Sequence, residues 1–168
     1  MIVVLASFSA IGCKNNNTNP GDTITGTDIG EKHPGDFYLN ATIKLEFSPS
    51  TPTDGQTLIN MLEPNLPKDI KNVLYTINPD GSITTTSGND KNTIAKDAIK
   101  KEGDNKYIIT TVTSGEISSV MPEEKEEFTF NADGTATSTS YVIFKSKDGN
   151  TYNLYFYKDG QLTKEPVQ

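Results

Sequence analysis

The chain has no arginine and no tryptophan, one cysteine and one histidine. All fifteen basic residues are therefore lysine, which removes the planar donor fork that grips carboxylates and phosphates in bidentate fashion. A single cysteine, Cys13, excludes an intrachain disulfide, so any folded part is held by its core. A single histidine, His33, argues against a Ser-His-Asp triad and against most zinc sites. It stands just before Pro34 and reads as an incidental residue of an exposed linker. Basic patches are lacking too: with 22 acidic residues the net charge is -7, a poor match to nucleic-acid phosphates and to anionic lipid. No glycine-rich phosphate loop is present. Long apolar runs are missing except at the start. Met1 to Gly12 (MIVVLASFSAIG) is uncharged, and its length suits the apolar core of a signal peptide rather than a membrane-spanning helix of roughly 20 residues. No lysine precedes this run, so the natural start is expected upstream of Met1.

Beyond Cys13 the chain turns polar. Lys14 to about Lys32 is rich in Asn, Thr, Gly, Asp and Pro and has little to bury, the composition of a flexible tether. From Asp36 the pattern changes. Phe37, Leu39, Ala41, Ile43, Leu45 and Phe47 alternate with polar residues, the period of a half-buried strand. Later segments are punctuated by Asn78-Pro79-Asp80-Gly81, Gly103-Asp104-Asn105, Asn131-Ala132-Asp133-Gly134, Asp148-Gly149-Asn150 and Lys158-Asp159-Gly160, each read as a turn. Asn-Pro-Asp-Gly suits a type I turn closed by a glycine bulge.

Turn type sets register, and register can be tested on the sequence. With bulged turns at Asn131–Gly134 and Lys147–Asn150, one face collects Phe128, Phe130, Val142, Phe144, Tyr152, Leu154 and Phe156. The other carries Thr129, Thr137, Thr139, Tyr141, Ile143, Lys145, Thr151, Asn153, Tyr155 and Tyr157. The same rule pairs Ile77 with Ile83. A faint internal repeat, LYTINPDGSITTT against FTFNADGTATSTS, marks equivalent hairpins, the first followed by a polar insertion at Ser87 to Thr93. Asp97 to Lys101 reads as a strand, with a short helix through Ile94, Ala95, Ala98 and Ile99 as the rival. One helix is expected after Asp54, with Leu58, Ile59, Met61 and Leu62 as its apolar stripe and Pro64 as its stop; a further turn is expected at Lys68–Lys71. Eight or nine strands joined by tight turns predict an all-β fold. The expected form is an up-and-down antiparallel meander closing into a barrel with one short helix, since closure removes exposed edges. A two-sheet sandwich is the alternative.

Two stretches resemble known families. Ala10-Ile11-Gly12-Cys13 resembles a bacterial lipobox, with Ile11 at a position usually filled by Ala, Ser or Thr. That resemblance implies cleavage before Cys13, a diacylglycerol thioether on its sulfur and acylation of the new amine. Lys14 after the cysteine resembles the outer-membrane sorting class. Gly35-Asp36-Phe37 and Phe128-Thr129-Phe130-Asn131-Ala132-Asp133-Gly134-Thr135 are similar to the small lipocalin-like domains of bacterial lipoproteins, with Phe37 where that family often carries Trp. The expected organisation is a signal peptide at 1–12, a lipidated cysteine and tether at 13–34, and a barrel domain at 35–168.

Chemistry is hard to find. Thr129-x-Asn131-x-Asp133-Gly134 lacks the first acid of a calcium loop and the glutamate of its twelfth position, so hairpin turns explain it. Glu123, Glu124, Glu126 and Glu127 read as a solvated acidic connection that discourages edge pairing. No cofactor, metal or catalysis is expected. The expected role is that of a membrane-anchored lipoprotein, at the periplasmic face or the cell surface, whose barrel binds a small apolar ligand lined by Phe128, Phe130, Phe144, Tyr152, Leu154 and Phe156. The alternative is a filled core and a protein partner, met through outer tyrosines and the acidic run.

Overall fold

The computed structural model describes residues 28–113 and 116–168. The lipobox, Cys13 and most of the expected tether lie outside the described residues. Ten strands follow in chain order: β1 (Gly35–Thr42), β2 (Glu46–Ser48), β3 (Asp69–Ile77), β4 (Ile83–Ser87), β5 (Asp90–Ile94), β6 (Ile99–Lys101), β7 (Lys106–Val112), β8 (Glu123–Phe130), β9 (Ala136–Lys145) and β10 (Thr151–Thr163). Two α-helices accompany them, α1 (Ile29–Lys32) and α2 (Gly55–Leu62). Among the described residues no helix is long and apolar enough to cross a membrane.

Every pairing is antiparallel. The sheet order is β5-β4-β3-β1-β10-β9-β8-β7-β6, with β2 added along β10. The meander thus closes through its first and last strands, with Leu39 opposite Leu162, and forms a nearly closed barrel of nine strands. The remaining seam lies between β5 and β6, which are consecutive in the chain and joined by a single 3₁₀ turn, Lys96–Ala98. Asp97 to Lys101 is therefore shared between that turn and the three-residue β6. The strand is present from Ile99, and the rival helix is reduced to that three-residue turn, since Ile94 belongs to β5 and Ile99 to β6.

The turn chemistry sets the register as expected. Ile77 pairs with Ile83, Phe144 with Tyr152 and Val142 with Leu154. In the β3–β4 turn the Asn78 amide bonds the Ser82 carbonyl and the Gly81 amide bonds the Asn78 carbonyl, both at 2.9 Å. The β8–β9 turn repeats this through Asn131, Gly134 and Thr135. Gly81, Gly134 and Gly149 take φ of 86°, 85° and 86°, the left-handed residue that such turns require. The carboxylates of Asp80 and Asp133 each accept the amide two residues on at 2.9 Å, so turn geometry accounts for these acids.

Several expectations are corrected. Ahead of residue 35, where the barrel domain is expected to start, α1 is already part of the fold. Ile29 of α1 is fully buried, and a Cβ on Gly30 would lie 2.4 Å from the Asn78 carbonyl, so α1 rests directly on the β3–β4 turn. The polar insertion Ser87 to Thr93 is itself structured, as the turn and second arm of the β4–β5 hairpin, with Ser87 opposite Asp90 and Thr84 opposite Thr93. Lys68–Lys71 leads into β3 rather than forming a turn. In α2, Leu58, Ile59 and Leu62 pack on the core, but Met61 is 65% exposed. Asp54 makes no side-chain cap; its carboxylate instead accepts from Ser146 Oγ at 2.6 Å and the Lys147 amide at 3.0 Å. That pins the start of α2 to the β9–β10 turn.

The largest correction concerns β10. Lys158-Asp159-Gly160 is not a turn but part of a thirteen-residue strand. Register shifts between Tyr155 and Tyr157, and between Tyr157 and Gly160, absorb the extra residues. The first of these bulges rotates Tyr157 from the outer face, where simple alternation puts it, into the interior. Gly160 is the companion of that rotation: a Cβ there would lie 2.8 Å from Tyr157 Cε2. Gly160→Ala is expected to destabilise the protein by ~1–3 kcal/mol through overpacking. Gly103→Ala, whose Cβ would find nothing nearer than 4.0 Å, should be close to neutral. Urea unfolding of the two variants checks the difference.

Candidate functional site

The interior is layered. At the floor, Phe130 is the hub. His33 stacks on its ring at 3.8 Å, and Phe37 and Tyr107 meet it edge-on at 5.6 and 5.8 Å. His33 is thus part of the domain, not an exposed linker residue. Its Nε2 is buried, with no hydrogen-bond partner among the described residues, and burial, with Lys32 next, lowers its pKa. Asp28 fastens this end. Loss of water opposes its ionisation, but bonds from Lys101, Lys32 and Tyr107 outweigh that and bring its pKa to about 2. At the opposite rim, Phe47 meets Phe144 at 5.3 Å and Tyr152 at 6.4 Å.

Between these apolar layers lies a polar one. Glu126 on β8 points inward and is 6% exposed. Tyr75 on β3 donates to both of its oxygens, at 3.1 and 3.0 Å. Tyr157 on β10 and Ser138 on β9 donate to its Oε1 at 2.8 and 3.0 Å. Burial raises the Glu126 pKa, while the bonds from Tyr157, Ser138 and Tyr75 pull it back. Glu124 faces the same way two residues earlier, opposite Thr111 on β7 and Val142 on β9. It is partly buried, and no hydrogen bond or ion pair to its carboxylate is found among the described residues. Burial, and then repulsion from Glu126, push its pKa up to about 7.

The acidic run is therefore not a solvated connection. It is the first half of β8, split by the pleat. Glu127 faces outward and pairs with Lys106 at 2.8 Å, and Glu123 pairs with Lys125 at 3.4 Å. Glu124 and Glu126 share parity with Phe128 and Phe130, so the alternation that places those rings inside already carries the signal for two interior acids. Tyr157 has no such signal, because a bulge moves it.

Phe128, Phe130, Phe144, Leu154 and Phe156 are all buried in one core cluster, and Tyr152 is half-buried against it. The structure brings these six together as packing partners on the inner face. Two clefts on the outside are lined by none of them. One, of about 330 Å³, is bounded by Thr42, Lys44, Glu46, Tyr157, Lys158 and Asp159. The other, of about 700 Å³, lies beside Asn40, Asp69 and Asn72 and the C-terminal residues Val167 and Gln168. Among the described residues no three or more His, Cys, Asp or Glu side chains are grouped to hold a metal ion.

The polar layer can do two things: brace the barrel and hold a proton. Bonds to a charged acceptor contribute roughly 1.5–3 kcal/mol each, and an orphaned buried donor costs ~1–3 kcal/mol. Glu126→Leu, which strands three donors, is expected to cost more than ~3 kcal/mol and Tyr75→Phe ~1–2 kcal/mol, both readable by chemical denaturation. The pH response has a defined sign. Glu124 binds its proton more tightly folded, with a pKa of about 7, than at the ordinary value of 4.5. Its stabilisation is complete below about 4.5 and is lost as pH rises through about 7, a fall on the order of 3 kcal/mol. Glu124→Gln should flatten the stability profile across that window, followed by thermal unfolding at a series of pH values.

Neither protein-family models, nor curated proteins, nor solved structures give a match to this chain. Its functional reading rests on the geometry of the barrel and on the residues that precede it.

Proposed function

We propose that this chain is a membrane-anchored lipoprotein, held by lipid on Cys13, whose barrel is a non-enzymatic protein-interaction module acting through its exterior at the periplasmic face or the cell surface. The observation that carries this reading is the filling of the interior. The six side chains expected from the sequence to line a ligand cavity pack against one another and their neighbours. A hydrogen-bonded carboxylate occupies the middle layer. A barrel of about this strand number either is filled by side chains or holds one small ligand, and the buried cluster supports the first, which leaves the exterior for contact with a partner.

The outer face of β10 presents the half-buried Tyr155, whose ring lies 5.1 Å from that of Tyr141, itself buried and bonded to Glu127. Lys158 lies over the Tyr155 ring at 4.5 Å and also bonds Glu46 at 2.8 Å. Rings held in place in this way lose little freedom on contact with a partner. The anchor rests on the lipobox resemblance: several acyl chains, at ~0.8 kcal/mol per buried methylene, give the firm attachment that one chain does not.

Labelled palmitate should enter the expressed protein, and Cys13→Ser should abolish both the label and partition into the detergent phase. Native mass spectrometry of the gently extracted protein is expected to show the acylated chain alone. A stoichiometric small molecule in that spectrum would overturn the filled-core reading in favour of an apolar ligand.

A further inference from the structure

The barrel wall is incomplete on one side. Among the described residues β5 pairs only with β4. β6 covers β7 only from Tyr107 to Ile109. Above that level Thr110, Thr111 and Val112 are paired with β8 alone, and Val112 is 76% exposed. Among the described residues, then, the upper half of the wall between β5 and β7 has no backbone ladder.

The interior polar groups stand across this seam. Tyr75 sits on β3, two strands in from the β5 edge, and Glu126 on β8, two strands in from the β6 edge. Their hydrogen bonds therefore tie the two sides of the seam from within, helped by the edge-on contact of Tyr75 with Phe128 at 5.5 Å. Asn92 on β5 is in register with Thr85 on β4, which is in register with Tyr75, so it faces the interior beside the gap. Glu124 faces it from the other side, opposite Thr111 at the free edge of β7.

We propose that the seam between β5 and the upper half of β7 is a pH-gated opening, held shut while the Glu124–Glu126 pair keeps a proton and released when both carboxylates are ionised. Among the described residues the titratable groups facing Glu124 are Glu126 on its own strand, Tyr75 on β3 and Tyr157 on β10. β7 and β9 present Thr111 and Val142. None of these is a cation, so a second negative charge goes uncompensated and must reach water. The seam is the cheapest route, because no ladder hydrogen bonds join β5 to the upper half of β7, whereas exposure through any other wall breaks several; once parted, the two uncovered strands fray from β4 and β8. Glu126 keeps three donors when ionised, so the group that moves is Glu124. The proton it gives up goes to solvent.

Amide hydrogen exchange on the full chain between pH 5 and pH 8, corrected for intrinsic rates, tests this. Protection of Asp90–Thr93 and Thr110–Val112 should fall by about tenfold relative to the β9–β10 amides as pH rises. Its midpoint should coincide with the ionisation of Glu124 followed by its carboxyl carbon shift. Glu124→Gln should keep the seam protected at pH 8, and Tyr75→Phe should raise seam exchange at acid pH as well. A parallel fall in β9–β10, a pH response that survives Glu124→Gln, a midpoint unrelated to Glu124, or seam exchange indifferent to Tyr75→Phe would each overturn the proposal.

Discussion

The Glu126 carboxylate, enclosed in the barrel and bonded to hydroxyls from β3, β9 and β10, is the contact that holds the architecture in place. A closed barrel needs no interior tie, because its backbone ladder runs the full circumference. Here the ladder stops at β5 and β6, and apolar packing, being non-directional, does not fix the spacing of the two edges. Tyr75 bonded to Glu126 does fix it. An enclosed charge is a weak source of net stability once desolvation is counted, but it is strongly specific, since moving any donor leaves a buried group unpaired.

The layering around that contact has the same origin. A carboxylate in the barrel centre must be shielded at both ends. Below it, Phe128 and Phe130 on the same strand lead into the floor, where His33 and α1 close the barrel and the Asp28 bonds to Lys101 and Tyr107 hold α1 down. Above it, Phe47, Phe144 and Tyr152 form the rim packing, and Asp54 pins α2 over it. Glu124 falls between these layers, beside the gap, with no donor of its own. The barrel is therefore packed over most of its length, and the proposed opening lies at the one place where the packing meets the gap.

Much of the fold is legible in the residues. The alternation of β1, the Asn-x-Asp-Gly turns and the inner face from Phe128 to Phe156 all depend on contacts within a few residues or across one turn, and such contacts are written locally. The repeat is informative as well. Tyr75 and Phe128 stand at equivalent places, three residues before Asn78 and Asn131, and meet face to edge inside the barrel. The acidic run misleads because its charge suggests solvent, although its parity with Phe128 and Phe130 puts two of its members inside. His33 gives no local sign of burial, since its stacking partner Phe130 lies far along the chain.

Local chemistry along the chain is enough to settle the class, the turns at Asn78–Gly81, Asn131–Gly134 and Lys147–Asn150 with the register of the hairpins they close, and the absence of any intrachain disulfide. These are consequences of backbone sterics, side-chain alternation and the presence of one cysteine. Folding in three dimensions adds what no neighbour in the chain announces: a filled interior, a Glu126 shared by three strands, a Tyr157 turned inward over Gly160, and a wall left open beside Glu124. Each of these depends on where distant strands meet, and on a bulge that breaks the two-residue period. A buried carboxylate takes its chemistry from partners brought to it by folding, and nothing in its own neighbourhood along the chain names them.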